Sequence, residues 1–294
     1  MRTVVVSGTF DNLRSRHVRF LEEARKLGDS LHVQLWAGAA AGALEGQPPR
    51  FPESERRYLL EAIRFVDRVW SVDGPLDRFS LPRVEGLRPS VWAVDEREVA
   101  VPEAGARRQA YCRAQGIEYH GLSATDLAGF PDCATNASSS DSTDAAAGAA
   151  MVPPGWTGRK KAFVTGCYDW LHSGHVRFFE EASALGDLYV AVGNDASVRF
   201  LKGEGHQLFP EEERRYMAGA IRYVKQALIT SGQGWMDAAP DIERLKPDIY
   251  AVNEDGDRPE KRAFCQEHDL QYVVLKRTHK EGLPKRESTV LRGF

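Results

Sequence analysis

Residues 162–192 read AFVTGCYDWLHSGHVRFFEEASALGDLYVAV, and residues 4–33 read VVVSGTFDNLRSRHVRFLEEARKLGDSLHV. The two stretches align with Gly8 opposite Gly166, at an offset of 158 residues. In each stretch a short apolar run ends in a glycine turn, and a segment with helical spacing of apolar positions and a second apolar run follow. The chain therefore contains a duplicated strand, helix and strand.

The duplication continues through both halves of the chain. Such self-similarity over several separate segments indicates two copies of one domain. The further matching pairs are FPESERRYLLEAIRFVDRV (51–69) with FPEEERRYMAGAIRYVKQA (209–227), LRPSVWAVDE (87–96) with LKPDIYAVNE (245–254), RRQAYCRAQGIEYHGL (107–122) with KRAFCQEHDLQYVVL (261–275), and SATDLAGF (123–130) with ESTVLRGF (287–294).

The repeat predicts two tandem domains, at residues 1–130 and 160–294. Between them, residues 131–159 are rich in alanine, serine, glycine and proline, with few large apolar side chains. Such a segment cannot bury a core, so we interpret it as a linker. Strands alternate with helices in each copy, which predicts an α/β fold of two Rossmann-like domains with parallel sheets. Their ligand crevices are expected beyond the carboxyl ends of the strands.

Composition narrows the class of function. The chain has 294 residues, 42% of them hydrophobic, and a formal net charge of −3, which argues against a large basic surface for nucleic acid. No apolar run is long enough to cross a bilayer, and the first residues look like a strand rather than a signal peptide. We therefore expect a cytoplasmic protein without a membrane partner. The cysteines lack C-x-x-C spacing, so neither a disulfide framework nor a zinc site is expected; they are Cys112, Cys133, Cys167 and Cys265.

The segment GCYDWLHSGH at 166–175 carries a family resemblance. It resembles the G-x-[FY]-D-x-L-H-x-G-H signature of the cytidylyltransferase-like nucleotidyltransferases, and the similarity spans roughly residues 160–294. The resemblance implies transfer of CMP from CTP to a phosphorylated small alcohol or sugar, with release of pyrophosphate. Adenylyltransferases share the signature, so ATP is the alternative donor. A different class of function, a nucleotide-binding regulator without turnover, is also open.

The signature suits nucleotidyl transfer, in which negative charge accumulates on the transferring phosphate and catalysis is mainly positioning and electrostatic stabilisation. His172 and His175 are the predicted catalytic residues, because two imidazoles at a strand-to-helix turn can donate to phosphate oxygens. Gly174 would let the ligand approach the backbone, and the helix would aim its first amides at the anion. The remaining predicted nucleotide-binding residues of the signature are Gly166, Cys167, Tyr168 and Asp169.

The resemblance also implies Mg²⁺ as cofactor, carried by the triphosphate. For Asp169, three roles are open: a cap of the turn, an organiser of the HxGH segment, or a direct Mg²⁺ contact. Lys202, in RFLKGEG, matches a family lysine directed at phosphate and is predicted to be catalytic, with a solvated surface charge as the alternative. Arg214, in EEERR, matches a phosphate-binding arginine, and a surface salt bridge with a nearby glutamate is its alternative.

The C-terminal KRTHKEGLPKRESTVLRGF resembles the R-T-x-G-I-S-T-T segment that holds the β- and γ-phosphates in cytidylyltransferases. Ser288 and Thr289 would open a helix and present hydroxyls and amides to phosphate, while Arg277 or Arg286 adds charge. The spacing departs from the family pattern, so which arginine contacts the triphosphate is open. NEDGD at 253–257 is interpreted as a solvated acidic turn, and Trp235 could contact a ligand or only pack.

The first copy departs from the signature. It reads GTFDNLRSRH, with Arg14 in place of the first histidine and Arg16 in place of the glycine, and Glu45 lies near the position of the lysine. His17 and Arg56 remain. We predict that this domain is inactive and forms an intrachain pseudo-dimer with the second, with further homodimerisation open. A regulatory nucleotide site is the alternative, because arginines bind anions.

Overall fold

The computed structural model describes residues 1–74, 76–98, 102–131 and 158–292. The chain divides into two compact units. The first unit comprises residues 1–130, 220–222 and 279–287, and the second comprises 131–219, 223–278 and 288–294. The units differ from the predicted domains in two short segments, 220–222 and 279–287, which belong to the first unit. The predicted linker, 131–159, lies outside the described residues except at its two ends.

The first unit contains a five-stranded parallel sheet with the strand order β3-β2-β1-β4-β5. Helices connect the strands, except between the third and the fourth in chain order, where the described residues of 73–90 form no helix. The elements are β1 (Thr3–Gly8), α1 (Ser15–Arg25), β2 (Ser30–Trp36), α2 (Gly38–Glu45), α3 (Glu53–Ala62), β3 (Arg68–Val72), β4 (Val91–Asp95), α4 (Pro102–Gln115) and β5 (Glu118–Leu122).

The second unit repeats this topology, with the order β10-β9-β6-β7-β8 and parallel pairing throughout. Written in the opposite direction, the second order is β8-β7-β6-β9-β10, and it matches the first order strand for strand. This agreement confirms the prediction of two Rossmann-like α/β domains. The elements are β6 (Lys161–Gly166), α5 (Ser173–Leu185), β7 (Asp187–Val192), α6 (Asp195–Lys202), α7 (Glu211–Gly219), β8 (Val224–Ile229), α8 (Ala239–Leu245), β9 (Ile249–Asn253), α9 (Pro259–Glu267), β10 (Gln271–Leu275) and α10 (Ser288–Arg292).

The central strand of each sheet is buried on both faces. In β6, Ala162, Phe163 and Val164 are fully inaccessible to solvent, and this explains why the strand is a continuous apolar run rather than an alternating one. Phe163 packs in one cluster with Tyr250 and the buried Cys265. The core therefore fixes the neighbouring strands β6 and β9, whose ends carry the candidate site.

The switch point of the second sheet lies between β6 and β9. From β6 the chain builds outward through β7 and β8, then returns to the other side of β6 with β9 and β10. In open parallel sheets, ligands bind beyond the carboxyl ends of the strands at this reversal. GCYDWLHSGH follows β6 there, and NEDGD follows β9.

Three of the four cysteines lie in the described part of the chain. Cys112, Cys167 and Cys265 are free thiols, and Cys133 lies outside the described residues. No helix in the described part of the chain is both long and apolar enough to cross a membrane.

Candidate active site

The two histidines of the signature lie together at the beginning of α5. His172 is the N-cap of this helix, and its Nδ1 accepts a hydrogen bond of 3.1 Å from the backbone N–H of Gly174. The imidazole rings of His172 and His175 stack, with centroids 3.9 Å apart and planes 22° apart. Because Nδ1 of His172 accepts, its ring proton is assigned to Nε2, which is then the donor of this imidazole.

His175 is buried beneath the first histidine, and its Nδ1 makes no hydrogen bond within the described part of the chain. Burial holds the pKa of His175 well below its usual value, and electrostatic interactions with His172, Arg277 and Lys202 lower this pKa further. The imidazole is therefore neutral at pH 7. A buried ring nitrogen without a partner in a cationic surrounding is typical of a functional site.

The aromatic ring of Tyr168 packs against His175. Tyr168 adopts a left-handed backbone conformation with a φ of 51°. Its ring meets His175 edge-on at 5.3 Å and Phe179 at 5.0 Å between centroids. A Cβ added to Gly166 would lie 2.7 Å from Cζ of this ring. Gly166 is thus required by the position of Tyr168, and both residues act on the site through His175.

Replacing Gly166 with alanine should disturb this support. The added methyl group meets a buried ring that His175 and Phe179 hold in place, so we expect a loss of about 1–3 kcal/mol in unfolding free energy and reduced turnover. The matched control is Gly8→Ala in the first copy, where the nearest atom, Cε2 of Phe10, is 3.3 Å away and the cost should be smaller. Urea unfolding of both variants measures the difference; equal costs would contradict the steric explanation.

Asp169 anchors a loop. Its carboxylate accepts hydrogen bonds from the backbone N–H groups of Leu208 (2.9 and 3.0 Å) and Phe209 (3.1 Å), just before α7. Asp11 in the first copy does the same for the amides of residues 50–51, at 2.7 and 2.9 Å. No group of three His, Cys, Asp or Glu side chains suited to a metal exists among the described residues. Both carboxylate oxygens of Asp169 accept from backbone amides, and this favours the organising role.

Arg214 is directed into the protein, with a side chain only 1% exposed. Its guanidinium donates to the carbonyls of Phe209 (3.0 Å), Cys167 (2.8 Å) and Gly193 (2.8 Å), and to the Asp195 carboxylate (2.6 Å). These contacts use four of its five N–H groups. Arg214 therefore ties the signature loop to the end of β7 and the start of α7, and at most one donor is left for a phosphate.

Arg56 in the first copy makes corresponding contacts. It donates to the carbonyls of Phe51 (3.1 Å), Thr9 (2.6 Å) and Trp36 (3.0 Å). The first copy lacks the first signature histidine but keeps this arginine in the same place. The shared role of the two arginines is to hold the loops of the fold.

Cys167 and Lys202 are the other two predicted residues on this side of the site. Burial raises the pKa of the Cys167 thiol, so it is protonated at neutral pH and unsuited to act as a nucleophile. Lys202 ends α6 and is exposed. Its charge lowers the pKa of both Cys167 and His175, which shows that its ammonium group lies within electrostatic range of the signature.

The acidic turn after β9 holds Arg277. The guanidinium of Arg277 pairs with Asp255 at 2.6 Å, and its backbone N–H donates to Glu254 at 3.2 Å. The charge of Arg277 also lowers the pKa of His175. NEDGD is thus more than a solvated turn, because two of its carboxylates hold Arg277, whose charge acts on His175.

The C-terminal residues are divided between the units. Arg286 belongs to the first unit, where it pairs at 2.7 Å with the fully buried carboxylate of Glu55. Ser288 begins the five-residue helix α10 of the second unit, and the side chain of Thr289 lies outside the described residues. Of the two candidate arginines, Arg277 is the one whose charge lowers the pKa of His175. Trp235 is 51% exposed.

Lys261 is a candidate site residue that the sequence did not lead us to predict. The ammonium of Lys261 lies 5.8 Å from the centroid of the Tyr250 ring, and it donates to the carbonyl of Gly256 at 3.2 Å. Burial lowers the pKa of Lys261, and the charge of Arg258 lowers it further. The first copy places Arg108 over Trp92 at 5.7 Å. The aligned segments 107–122 and 261–275 carried this signal, since each has a cation four residues before its cysteine.

A doubly wound parallel sheet with two stacked histidines at the helix after its central strand has a candidate anion site at its switch point. Residues 163–279 match the cytidylyltransferase-like family. This part of the second unit is therefore a cytidylyltransferase-like domain of the nucleotidyltransferase superfamily.

Two curated relatives each match a third of this chain. The chain is 38% identical over 99 residues to the Bifunctional protein HldE of Pelobacter propionicus, covering 33% of this chain and 20% of the relative. It is 39% identical over 97 residues to an FAD synthase of Ferroglobus placidus, covering 33% and 60%. A lipopolysaccharide core biosynthesis protein from Thermoplasma volcanium has 22% identity and a TM-score of 0.36, covering 42% of this chain and 99% of that chain. The matches span less than two thirds of both curated relatives.

Proposed function

We propose that the second domain transfers a nucleoside monophosphate to a small phosphorylated acceptor. An oxygen of the acceptor phosphate attacks the α-phosphorus of a nucleoside triphosphate. The new P–O bond forms as the bond to the β-phosphate oxygen breaks, and pyrophosphate leaves. The observation that carries this proposal is the stacked pair of His172 and His175 at the N-terminus of α5, at the switch point of the sheet.

The residues around this pair supply positioning and charge. The Nε2–H of His172 donates to an oxygen of the transferring phosphate, and the backbone amides of α5 face the same anion. Lys202 and Arg277 neutralise the charge that builds up on the leaving pyrophosphate. No side chain needs to act as a covalent nucleophile. Mg²⁺ is expected to arrive with the triphosphate and to neutralise part of its charge.

The base and the acceptor define two versions of this proposal. CTP with a phosphorylated small alcohol or sugar is favoured by the signature and by the cytidylyltransferase-like family match. ATP is favoured by the similarity to an FAD synthase, because FAD contains an adenine nucleotide. Fold-level likeness does not decide between them.

A pyrophosphate-release screen tests both versions. The full chain is incubated with Mg²⁺, each of CTP, ATP, GTP and UTP, and a panel of phosphorylated alcohols and sugars. We expect release that depends on both one triphosphate and one acceptor, with CTP giving the highest kcat/KM. A preference for ATP would replace the cytidylyl version with the adenylyl one. Binding of nucleotides without release in any combination would favour a nucleotide-binding regulator.

A further inference from the structure

A tight turn after β10 carries Arg277. The backbone N–H of Thr278 donates to the carbonyl of Lys276 at 2.9 Å, directly after the end of β10. A hydrogen bond between residues two apart closes a three-residue turn, and Arg277 is its central residue. On the side of the acidic turn after β9, the backbone N–H of Arg277 donates to Glu254 at 3.2 Å. The backbone at Arg277 is therefore fixed from one side by β9 and its turn.

The side chain of Thr278 holds the other side of this turn. Its hydroxyl donates to Oε1 of Glu181 at 2.8 Å. Glu181 lies on α5, the helix whose N-cap is His172. A hydroxyl has a single proton to donate, so a proton donated to Glu181 is not available to a phosphate. Thr278 therefore connects the turn to the helix of the histidine pair, and the phosphate-binding group of the turn is the cation of Arg277.

Arg177 fixes the direction of the Glu181 carboxylate. It lies one helical turn earlier on α5, and it pairs with Glu181 at 2.7 Å and with Glu180 at 2.9 Å. The side chain of Glu181 is only 21% exposed. An ion pair with an arginine restricts the rotamers of the carboxylate before Thr278 contacts it, so less side-chain entropy is lost on forming the hydrogen bond. The acceptor for Thr278 is thus already oriented.

The first copy shows the same helix position without the cation. Glu23 of α1 aligns with Glu181 at the offset of 158 residues, and it pairs with Arg19 at 2.5 Å. The second residue after β5 is Ala124, whereas the second residue after β10 is Arg277. Both glutamates pair with an arginine of their own helix, and Glu181 in addition holds the turn of Arg277. The contact with the turn is therefore found in the copy that carries both the cation and the histidine pair.

We propose that Glu181 is a positioning residue of the transferase site, and that it acts through Thr278 to hold Arg277 in place for the triphosphate. This inference rests on the proposed function and adds what fixes the cation. Asp255 pairs with Nη1 of Arg277 at 2.6 Å, and a guanidinium presents five N–H groups, so one arginine can bind this carboxylate and a phosphate together. Glu181 restricts the turn before the triphosphate arrives, which reduces the ordering that binding requires.

Glu181→Ala tests this role by pyrophosphate release from the full chain with Mg²⁺. The KM for the triphosphate is expected to rise about tenfold, because a hydrogen bond to a charged acceptor is lost, while the KM for the acceptor stays within about twofold. A general loss of structure would change both KM values. Glu181→Gln keeps an oxygen acceptor and should recover most of the affinity for the triphosphate.

The matched control is Glu180→Ala. It removes one of the two carboxylates that Arg177 pairs with and keeps the contact between Glu181 and Thr278. Both KM values should stay within about twofold of those of the parent chain. A tenfold rise in the KM for the triphosphate in this control would overturn the specific role of Glu181, and so would an unchanged KM in Glu181→Ala.

Variants of the turn test the route from Glu181 to the cation. Thr278→Val removes the hydroxyl at nearly constant shape and should reproduce the effect of Glu181→Ala, whereas Thr278→Ser keeps the hydroxyl and should resemble the parent. In an Arg277→Ala background, Glu181→Ala should cause no further rise in the KM for the triphosphate, because the cation that it positions is gone. A further tenfold rise in this background would overturn the proposal, since Glu181 would then act by another route.

Calorimetric titration with CTP and ATP separates this inference from the proposed function. A parent chain that binds a triphosphate but releases no pyrophosphate contradicts the transferase activity, and a tenfold weaker Kd in Glu181→Ala then supports the positioning role by itself. An active parent whose Kd and KM are unchanged in Glu181→Ala overturns the positioning role alone. A parent that binds neither nucleotide overturns both. Thermal melting of each variant confirms that it remains folded.

Discussion

Replacing His172 with asparagine is expected to lower the kcat of nucleotidyl transfer by about two to three orders of magnitude. The imidazole Nε2–H is the donor that we assign to the transferring phosphate, and the shorter amide cannot reach the same position. The helix should survive, because asparagine is a favoured N-cap and its side-chain oxygen can accept from the N–H of Gly174 as Nδ1 does now. Pyrophosphate release at saturating triphosphate and acceptor measures the effect.

The matched control is Arg14→Asn. Arg14 is the N-cap of α1, at the position in the first copy that aligns with His172. This variant changes the same helix position in the domain that we predict to be inactive, so turnover should stay within twofold of the parent chain. A His172→Asn enzyme with nearly unchanged kcat would refute the role of His172. A comparable loss in Arg14→Asn would show that the first domain takes part in catalysis.

Much of the fold could be predicted because the relevant information is local and repeated. The apolar run at 162–164 predicts the buried central strand. The glycine turn follows this run directly, and the helical spacing of Val176 and Phe179 then predicts the helix. The duplication adds a constraint, since both copies must satisfy one topology. The segment after β6 could thus be placed at the carboxyl edge of the sheet, and the structure brings His172 and His175 together there.

Side-chain direction was harder to predict, as two adjacent arginines show. The sequence EEERR suggests a surface salt bridge for either of them. In the structure Arg215 pairs with Glu212 at 2.8 Å, whereas Arg214 is buried among backbone carbonyls. Which arginine is directed inward depends on the rotation of α7 against β7, and this is set by tertiary packing rather than by local sequence.

The comparison between copies was a stronger guide than a resemblance taken alone. Asp11 and Arg56 remain in the first copy, where the first signature histidine has been lost. Residues kept without the catalytic pair are more simply explained by the fold, and the contacts of Asp169 and Arg214 agree with this. The same comparison could have identified Lys261, whose aligned partner Arg108 also lies over an aromatic ring.

Replacing Arg214 with alanine is expected to destabilise the second domain by about 3 kcal/mol or more. The substitution leaves three backbone carbonyls without their donor and Asp195 without its ion-pair partner. Arg214→Lys should be nearly as unstable, because an ammonium group lacks the planar fork that reaches several acceptors at once. Urea unfolding followed through the fluorine resonance of 5-fluorotryptophan at Trp170 measures this loss in the second unit.

Arg56→Ala is the matched control, expected to lower the unfolding midpoint reported by Trp92 in the first unit, because Arg56 holds three carbonyls in the same way. The alternative role for Arg214, direct phosphate binding, predicts a different pattern. In that case Arg214→Ala would keep the stability of the parent while its KM for the triphosphate rose tenfold or more, and Arg214→Lys would recover part of the affinity through its charge. That result would contradict the structural role and support direct binding of the triphosphate by Arg214.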